Sequence, residues 1–283
     1  MPHNLPVTPV LRITALNNCI TLNFPHPYNF RGEFHPFWEM VYALEDGFQV
    51  AENEKIYTMK KGDVIFHKPM VFHRLWSMEN ISVRAFIVGF NGDGNLLEQL
   101  KGSAFVLDPQ QQNQLEQLLA QLQHHFPRQE RNGLTDHLQT MVHSDDALEV
   151  QRFVDSFQLF LLSLGRQSTP MTVKELSDSE GSRLYRQAVQ LLTENVEGWI
   201  TADEIARQLG CSTSRLKRIF ANFSDIGIHK YLLQLKTARA IRLLQKGHSC
   251  SEVSQALGFG NQNYFSTVFK RETGFPPSHY SNQ

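Results

Sequence analysis

The sequence predicts an α+β fold, in which an N-terminal domain of β-strands with associated helices precedes an all-α C-terminal domain. Three observations predict it. Residues 11–90 contain short alternating strand patterns between turns, a helical period begins at Asp108, and the chain has a helical pattern from Leu184 onward. The 283 residues are enough for about two domains that each bury a core.

The N-terminal strand patterns are short and are divided by turn residues. The segment ISVRAFIVGF (81–90) alternates and is rich in β-branched residues, whereas Asp46-Gly47, Gly62-Asp63 and Pro69 mark interruptions. Strands at this spacing are typical of a β-sandwich or barrel. We therefore assign residues 1–105 to a strand-rich domain.

Two helical regions follow the strands. Asp108 is a suitable N-cap with Pro109 in the first turn, and leucines recur on one face of the helix after them. Between residues 134 and 164 a second region carries an apolar stripe, formed by Phe153, Val154, Phe157, Phe160, Leu161 and Leu164. The pattern predicts that residues 106–166 pack on the strands. Residues 167–183 are polar and aperiodic, which predicts a linker.

The composition excludes several classes of protein. A content of 41% hydrophobic and 19% charged residues argues against disorder. No run approaches the roughly 18 apolar residues of a membrane span, and the first residues lack the pattern of a secretory signal. The 3 cysteines have no CxxC spacing, which favours a reducing cytoplasm over disulfides or a structural zinc site.

The charge is distributed unevenly along the chain. The net charge is −1, but residues 184–283 carry +5 and residues 1–183 carry −6. Such asymmetry indicates a nucleic-acid-binding module joined to a domain with another role.

An internal repeat organises residues 184–283. Residues 203–232 align with residues 251–281, first at a spacing of 48 residues and, after one inserted residue, at 49. Each copy has a short helix ending at Leu-Gly, a tight turn and a second helix. Gly210 and Gly258 fit the left-handed position, and Ser212 and Asn261 fit the next N-cap. This predicts two helix-turn-helix units at about 202–223 and 250–272, whose second helices enter a DNA major groove.

The outward faces of the second helices carry side chains that suit base edges. The inward positions are apolar, namely Leu216, Ile219, Phe220, Phe265, Val268 and Phe269. The predicted base-contacting residues are Thr213, Ser214, Lys217, Arg218, Gln262, Asn263, Ser266 and Thr267. The predicted phosphate-contacting residues are Lys230, Lys236, Lys270 and Arg271. The alternative is a polar face that only meets water, but two aligned copies on a positively charged background favour DNA.

The segment ALGFGNQNYFSTVFKRETGFPPSHY (256–280) resembles the C-terminal signature of the AraC/XylS family of bacterial transcriptional regulators. The first, weaker copy extends the resemblance over about residues 184–281. It implies that a long helix from Tyr231 to about Gln245 joins two units, which read successive major grooves about 34 Å apart. Asp225 replaces the glycine usual in the first copy, and Ser281 replaces the usual arginine after the final tyrosine.

The same resemblance implies the function and the partners. A one-component cytoplasmic regulator would bind double-stranded promoter DNA and a small-molecule effector such as a sugar or metabolite. It would contact RNA polymerase if it is an activator, and it would form a homodimer through residues 106–166. The resemblance implies neither a cofactor nor a membrane partner.

The segments FRGEFHPFWEMVYALEDG and KKGDVIFHKPMVFHRL resemble the cupin-like sensor barrel of this family. Strand alternation places His35, Phe37 and Glu39 on one face, where His73 can join them from a facing strand. We assign these four residues and Arg31 to an effector pocket.

His35, Glu39 and His73 also form a candidate metal set. We predict a hydrogen-bond cluster and no metal, because Phe37 occupies the position where enzyme-type cupins have a second histidine. Two alternatives stay open. One is a metal-dependent cupin enzyme with a DNA-binding tail, and the other is a dimeric regulator that binds no ligand.

Overall fold

The computed structural model describes residues 8–24, 27–53, 55–78, 81–100, 103–125, 146–165, 169–171, 174–175 and 180–281. The beginning of the second predicted helical region lies outside these residues. The described strands are β1 (Arg12–Phe24), β2 (Asn29–Glu33), β3 (Trp38–Ala43), β4 (Phe48–Glu52), β5 (Lys55–Met59), β6 (Asp63–His67), β7 (His73–Ser77), β8 (Val83–Asp93), β9 (Ala104–Val106), β10 (Thr169–Pro170) and β11 (Lys174–Glu175). The helices among them are α1 (Asn95–Leu100), α2 (Pro109–His125) and α3 (Ala147–Leu164).

The strands form two antiparallel sheets. The first sheet has the order β1-β8-β3-β6-β9-β10 and the second has the order β11-β5-β4-β7-β2. No described strand of one sheet pairs with a strand of the other. The predicted barrel is therefore corrected to an open sandwich, because the edge strands of the two sheets do not close on each other.

Strand β3 shows how the first sheet separates two cores. Met40 and Tyr42 pack against the helices on the outer face, whereas Val41 and Ala43 pack between the sheets. This alternation follows from the period of 2 of a β-strand. It also directs Glu39, which shares the face of Val41, toward the space between the sheets.

Helices α2 and α3 cover the outer face of the first sheet. The Asp108 side chain accepts a hydrogen bond from the Gln111 amide at 2.8 Å, as predicted for the N-cap. The apolar stripe of α3 lies in this core and therefore packs within one subunit. Its buried members are Phe153, Phe157, Phe160, Leu161 and Leu164. Burial of each of these side chains stabilises the fold by roughly 1.5–3 kcal/mol.

The segment predicted as a linker is attached to both sheets. Thr169 pairs with Val106 of β9, and Lys174 pairs with Ile56 of β5. The prediction of a plain linker over 167–183 is corrected accordingly. Two short backbone ladders carry no hydrophobic period, so the sequence pattern did not reveal them.

The C-terminal domain is all-helical, as predicted. Its helices are α4 (Glu180–Glu194), α5 (Ala202–Gln208), α6 (Thr213–Ser224), α7 (Ile228–Gln245), α8 (Cys250–Ala256), α9 (Gln262–Thr273) and α10 (Ser278–Ser281). Helix α7 contributes Leu232 to the core of the first half and Leu244 to the core of the second half. None of the described helices is long and apolar enough to span a membrane.

Candidate functional site

The two helix-turn-helix units begin with the same local chemistry. A capping box starts α5, where Thr201 and Glu204 satisfy each other's backbone amides, and a second one starts α8 through Ser249 and Glu252. The two boxes lie at equivalent positions of the repeat. The internal repeat seen in the sequence is therefore a repeat of structure.

Each turn uses a left-handed glycine. The φ angles of Gly210 and Gly258 are +66° and +67°, a region that disfavours a side chain. Ser212 and Asn261 then cap α6 and α9 by accepting hydrogen bonds from the amides of Arg215 and Tyr264. The predicted turn residues and caps are confirmed.

Each second helix also ends in a left-handed residue. Asp225 ends α6 with φ +57°, and Gly274 ends α9 with φ +80°. An aspartate tolerates this conformation better than most residues. Its replacement of the usual glycine therefore leaves the helix end intact.

The second helices, α6 and α9, are here called the first and second recognition helices. On the first, Ser214, Lys217 and Arg218 are exposed, while Thr213 is half-buried and donates a hydrogen bond to Asp203. On the second, Gln262, Asn263 and Thr267 are exposed and Ser266 is half-buried. All eight predicted base-contacting residues thus lie on the two recognition helices.

The predicted phosphate-contacting residues differ in accessibility. Lys270 and Arg271 are exposed. The Lys230 ammonium lies 2.6 Å from the buried Glu272 carboxylate, although 44% of the Lys230 side chain is accessible. That ion pair joins α7 to the second recognition helix.

Lys236 is not on the surface, which corrects its assignment as a phosphate contact. Its relative exposure is 0%, and its Nζ donates hydrogen bonds to the carbonyl oxygens of Val196, Gly198 and Leu257. The ammonium also lies 4.6 Å from the centre of the Trp199 ring. Lys236 therefore joins the loop before α5 to the turn of the second unit.

A small cavity lies between the two sheets of the N-terminal domain and is here called the sensor cavity. It has a volume of about 40 Å³, and its lining includes Glu33, Glu39, His67, His73 and Arg74 among apolar side chains. One water needs roughly 10–15 Å³ on this measure, so the space holds about three. A sugar-sized ligand would require these walls to move.

Three histidines and three glutamates lie at one end of this cavity and are here called the His–Glu cluster: Glu33, His35, Glu39, Glu52, His67 and His73. Strand register brings them together. Glu39 of β3 lies opposite His67 of β6, and His73 of β7 lies opposite Glu33 of β2 on one side and Glu52 of β4 on the other.

The carboxylate of Glu39 lies between two imidazoles. Its Oε2 is 3.5 Å from Nε2 of His35, and its Oε1 is 3.3 Å from Nε2 of His73. Nδ1 of His35 lies 2.8 Å from the Phe37 carbonyl oxygen, and Nδ1 of His73 lies 3.1 Å from the Val71 carbonyl oxygen. Because a carbonyl only accepts, each Nδ1 carries a proton and each Nε2 is directed toward Glu39.

Burial and mutual charge set the protonation of the cluster. Burial lowers the pKa of His35 and of His67. Burial acts in the same direction on His73, but the Glu39 carboxylate outweighs it and raises the pKa of His73 to about 9. Burial and the neighbouring Glu39 raise the pKa of Glu33 to about 8. Burial would also raise the pKa of Glu39, yet the facing imidazoles hold it well below its usual range.

The predicted effector pocket is only partly assembled. Glu39 and His73 line the cavity. His35 and Phe37 lie behind it as stacked rings, with centroids 4.1 Å apart. Arg31 is exposed and is not part of the lining, so its assignment is corrected.

Sequence reasoning missed Glu33, Glu52 and His67. Glu33 stands two residues before His35, so it has the same parity but precedes the first residue of the predicted set, whereas Glu52 ends a different strand, β4. His67 precedes the Lys68-Pro69 turn and was not distinguished from turn residues. A search for ionisable residues at strand ends would have found all three.

Comparisons with known proteins match both domains. A family model described as "AraC-like ligand binding domain" matches residues 22–143, and a "Helix-turn-helix domain" model matches residues 205–283. The HTH-type transcriptional activator RhaR of Salmonella dublin is 27% identical over 271 residues, which cover 88% of this chain and 87% of the relative. RhaR of Salmonella agona (strain SL483) is 28% identical over the same span.

The chain belongs to the AraC family of transcriptional regulators. It is a DNA-binding regulator with a small-molecule sensor domain, and its relatives are named as transcriptional activators rather than enzymes.

Two solved structures were also matched by the chain. An AraC-type regulator from Chromobacterium violaceum is 30% identical with a TM-score of 0.35, and covers 37% of this chain and 96% of its own. ToxT from Vibrio cholerae O395 is 15% identical with a TM-score of 0.39, and covers 96% of this chain and 97% of its own.

In this AraC-family chain the sensor and DNA-binding domains meet beside the His–Glu cluster. The rings of Phe34 and Phe72 lie 4.8 and 5.0 Å from the ring of Tyr231 on α7. Phe34 is flanked by Glu33 and His35, and Phe72 precedes His73. The aromatic contact is thus made by the immediate neighbours of the cluster.

Polar contacts reinforce this meeting point. Asn29 donates a hydrogen bond of 3.0 Å to the carboxylate of Asp225, which ends the first recognition helix, and Arg74 of the cavity wall lies 4.0 Å from the same carboxylate. Gln234 of α7 donates to the Gly32 carbonyl at 3.3 Å. A Cβ on Gly32 would collide with the Phe72 ring, so only glycine allows this close approach.

Proposed function

We propose that this AraC-family regulator reads DNA with both recognition helices and controls them through the contact of Arg74 with Asp225. Arg74 lines the sensor cavity, and Asp225 ends the first recognition helix, so one ion pair joins the ligand-binding space to the C-terminal end of that helix. This single contact carries the proposal. A ligand that moves Arg74 changes the position of α6 and with it promoter occupancy.

The proposed base contacts are the exposed or partly exposed side chains of the two recognition helices. Arg218 and Lys217 suit guanine, and Gln262 and Asn263 suit adenine. Four hydroxyl side chains complete the set, because a hydroxyl can donate a hydrogen bond to a base edge or accept one from it. They belong to Thr213, Ser214, Ser266 and Thr267.

The proposed phosphate contacts are Lys270, Arg271 and Lys230, of which Lys230 would exchange its Glu272 partner for a phosphate. Lys236 is excluded because it is buried. Phosphate contacts of this kind predict DNA binding that weakens steeply with salt.

We infer that the regulator acts as a cytoplasmic homodimer and that, as an activator, it contacts RNA polymerase. The apolar stripe of α3 is used inside the subunit, so another face must dimerise. Leu148, Leu159 and Leu162 lie exposed on α3, with relative exposures of 66%, 64% and 38%. A second copy packed on these leucines would place two sensor domains together and raise affinity for repeated half-sites.

The test compares Arg74→Gln and Asp225→Asn with wild type. Binding sites are first selected from random DNA with the full-length protein, and the effector is sought by thermal shift against sugars and metabolites. Both variants should bind the selected DNA but lose most of the effector's change in affinity. Lys61→Gln, an exposed charge removal on the sensor domain, is the matched control and should respond like wild type.

A full effector response in both Arg74→Gln and Asp225→Asn would contradict the proposed coupling. Failure of the wild-type protein to select any DNA sequence at low salt would contradict the assignment of the recognition helices.

A further inference from the structure

Two buried imidazole nitrogens of the His–Glu cluster are directed at one point without a hydrogen bond. His35 and His73 are 1% and 4% exposed, and Nε2 of each has no hydrogen-bond partner among the described residues. Each Nδ1 donates to a backbone carbonyl. This arrangement fixes the ring and presents Nε2 as a ligand, as in metal-binding histidines, whose other ring nitrogen donates to a carbonyl or carboxylate oxygen.

The surrounding carboxylates complete a four-atom set. One ligand atom from each of Glu33, His35, Glu39 and His73 can be chosen so that all lie within 4.8 Å of one another. The measured separations from Glu39 to the two Nε2 atoms are 3.5 and 3.3 Å. Metal–ligand bonds of about 2.0–2.2 Å place adjacent ligand atoms roughly 3–3.6 Å apart. The two separations from Glu39 fall in this range, and the remaining pairs, up to 4.8 Å apart, would draw closer around an ion.

A bound ion would replace the imidazole–carboxylate contacts that the cluster makes without one. The Nε2 atoms of His35 and His73 lie 3.5 and 3.3 Å from the Glu39 carboxylate, which is longer than a charge-assisted hydrogen bond of about 2.7–2.9 Å. Glu33 and Glu39 also lie together in this cluster, where a bound cation would favour the ionised form of both carboxyl groups. A bound cation satisfies both imidazoles and both carboxylates at once.

We propose that Glu33, His35, Glu39 and His73 bind one divalent first-row transition-metal ion at the wall of the sensor cavity, which three of the four residues line. Two imidazoles and two carboxylates suit zinc, iron, cobalt or nickel better than the hard ions magnesium and calcium. The cavity of about 40 Å³ has room for the ion and a few waters or a small oxygen ligand. Glu33, absent from the predicted set, supplies the fourth ligand in place of the non-ligating Phe37.

The site would also be coupled to the DNA-binding domain. Phe34 lies between the ligands Glu33 and His35 and packs against Tyr231. Drawing both ligands onto an ion therefore moves a side chain that contacts α7. This deepens the proposed function by naming a metal ion as an effector or as the anchor of one.

Metal binding is tested on the full-length protein after removal of bound ions with a chelator. Zn²⁺ is titrated by calorimetry, and Co²⁺ is titrated by visible absorption, which reports its coordination directly. We expect one saturable site per chain, with an affinity about 100-fold lower in His73→Gln and at least about 10-fold lower in the isosteric Glu33→Gln. His248→Gln, which removes an exposed histidine of the DNA-binding domain, should bind like wild type.

If His73→Gln does not fold, the Co²⁺ absorption spectrum of wild type and the metal affinity of Glu33→Gln test the proposed site. A wild-type protein that takes up no stoichiometric Zn²⁺ or Co²⁺ would overturn the proposal, as would unchanged affinity in Glu33→Gln and every folded His73 variant. DNA selection by the metal-free protein is measured separately, so loss of the metal site would leave the DNA-binding proposal standing.

Discussion

Replacement of Lys236 by methionine should loosen the contact between the two helix-turn-helix units. The ammonium joins the carbonyls of Val196 and Gly198, before the first unit, to the carbonyl of Leu257 in the second. Methionine keeps most of the packing volume and removes every donor. Helix α7 can remain intact, because methionine and lysine have similar helix propensities.

The expected loss in the free energy of unfolding follows from the interactions that each group around the Lys236 ammonium loses. Leu257 is fully buried, so its carbonyl without a donor costs about 1–3 kcal/mol. Loss of the cation over the Trp199 ring adds about 0.5–1 kcal/mol. The carbonyls of Val196 and Gly198 belong to partly exposed residues and can be rehydrated. Relief of the buried charge offsets part of the loss, which leaves a net destabilisation of about 1–3 kcal/mol.

Hydrogen exchange of the full-length protein measures this effect within one domain. A loss of about 1–3 kcal/mol corresponds to about 5- to 150-fold faster exchange of the protected amides in α8. Lys217→Met, at an exposed position, is the matched control and should change exchange by less than about threefold. If Lys236→Met exchanged no faster than Lys217→Met, the inferred role of Lys236 would be wrong.

Three further predictions test the surfaces and the buried lysine. Gln262→Ala should relax base preference at one position, whereas Lys270→Ala should weaken all DNA sites alike and reduce the salt slope by about 1, as binding titrations across salt concentrations would show. Leu159→Glu should halve the mass measured by light scattering without unfolding the chain, and an unchanged dimer would exclude this face. Burial lowers the pKa of Lys236 from 10.5 to about 8. Between these two pH values the unfolded chain keeps a proton on Lys236 that the native protein has lost. The free energy of unfolding of wild type relative to Lys236→Met should therefore rise from about pH 8 to about pH 10 in urea titrations, and a flat difference would refute this.

The C-terminal domain could be predicted from sequence because its signals are local. Gly210, Gly258, Ser212 and Asn261 each do what their residue type favours at a helix end, and the repeat supplies the same pattern twice. Lys236 could not be predicted in this way. Helix α7 is packed on both sides by different halves of the domain, so a polar residue on it is not necessarily exposed.

The sensor domain could be predicted less completely because its site depends on strand register. Alternation predicts that Glu39 shares a face with its neighbours at a period of two but not which face lies between the sheets, and Glu33 joins the site because β2 lies opposite β7. Closure of a barrel depends equally on which edge strands meet. Those pairings are long-range, and a single sequence does not specify them.

The central claim is that the two recognition helices read successive major grooves on one face of DNA. Footprinting of the full-length protein on its selected site tests this most directly, with Arg218→Ala and Gln262→Ala as the two probes. We expect two contacted segments about one helical turn apart, roughly 10.5 base pairs, with base preference lost in a different segment for each variant. A single contacted groove, or the same segment affected by both variants, would contradict it.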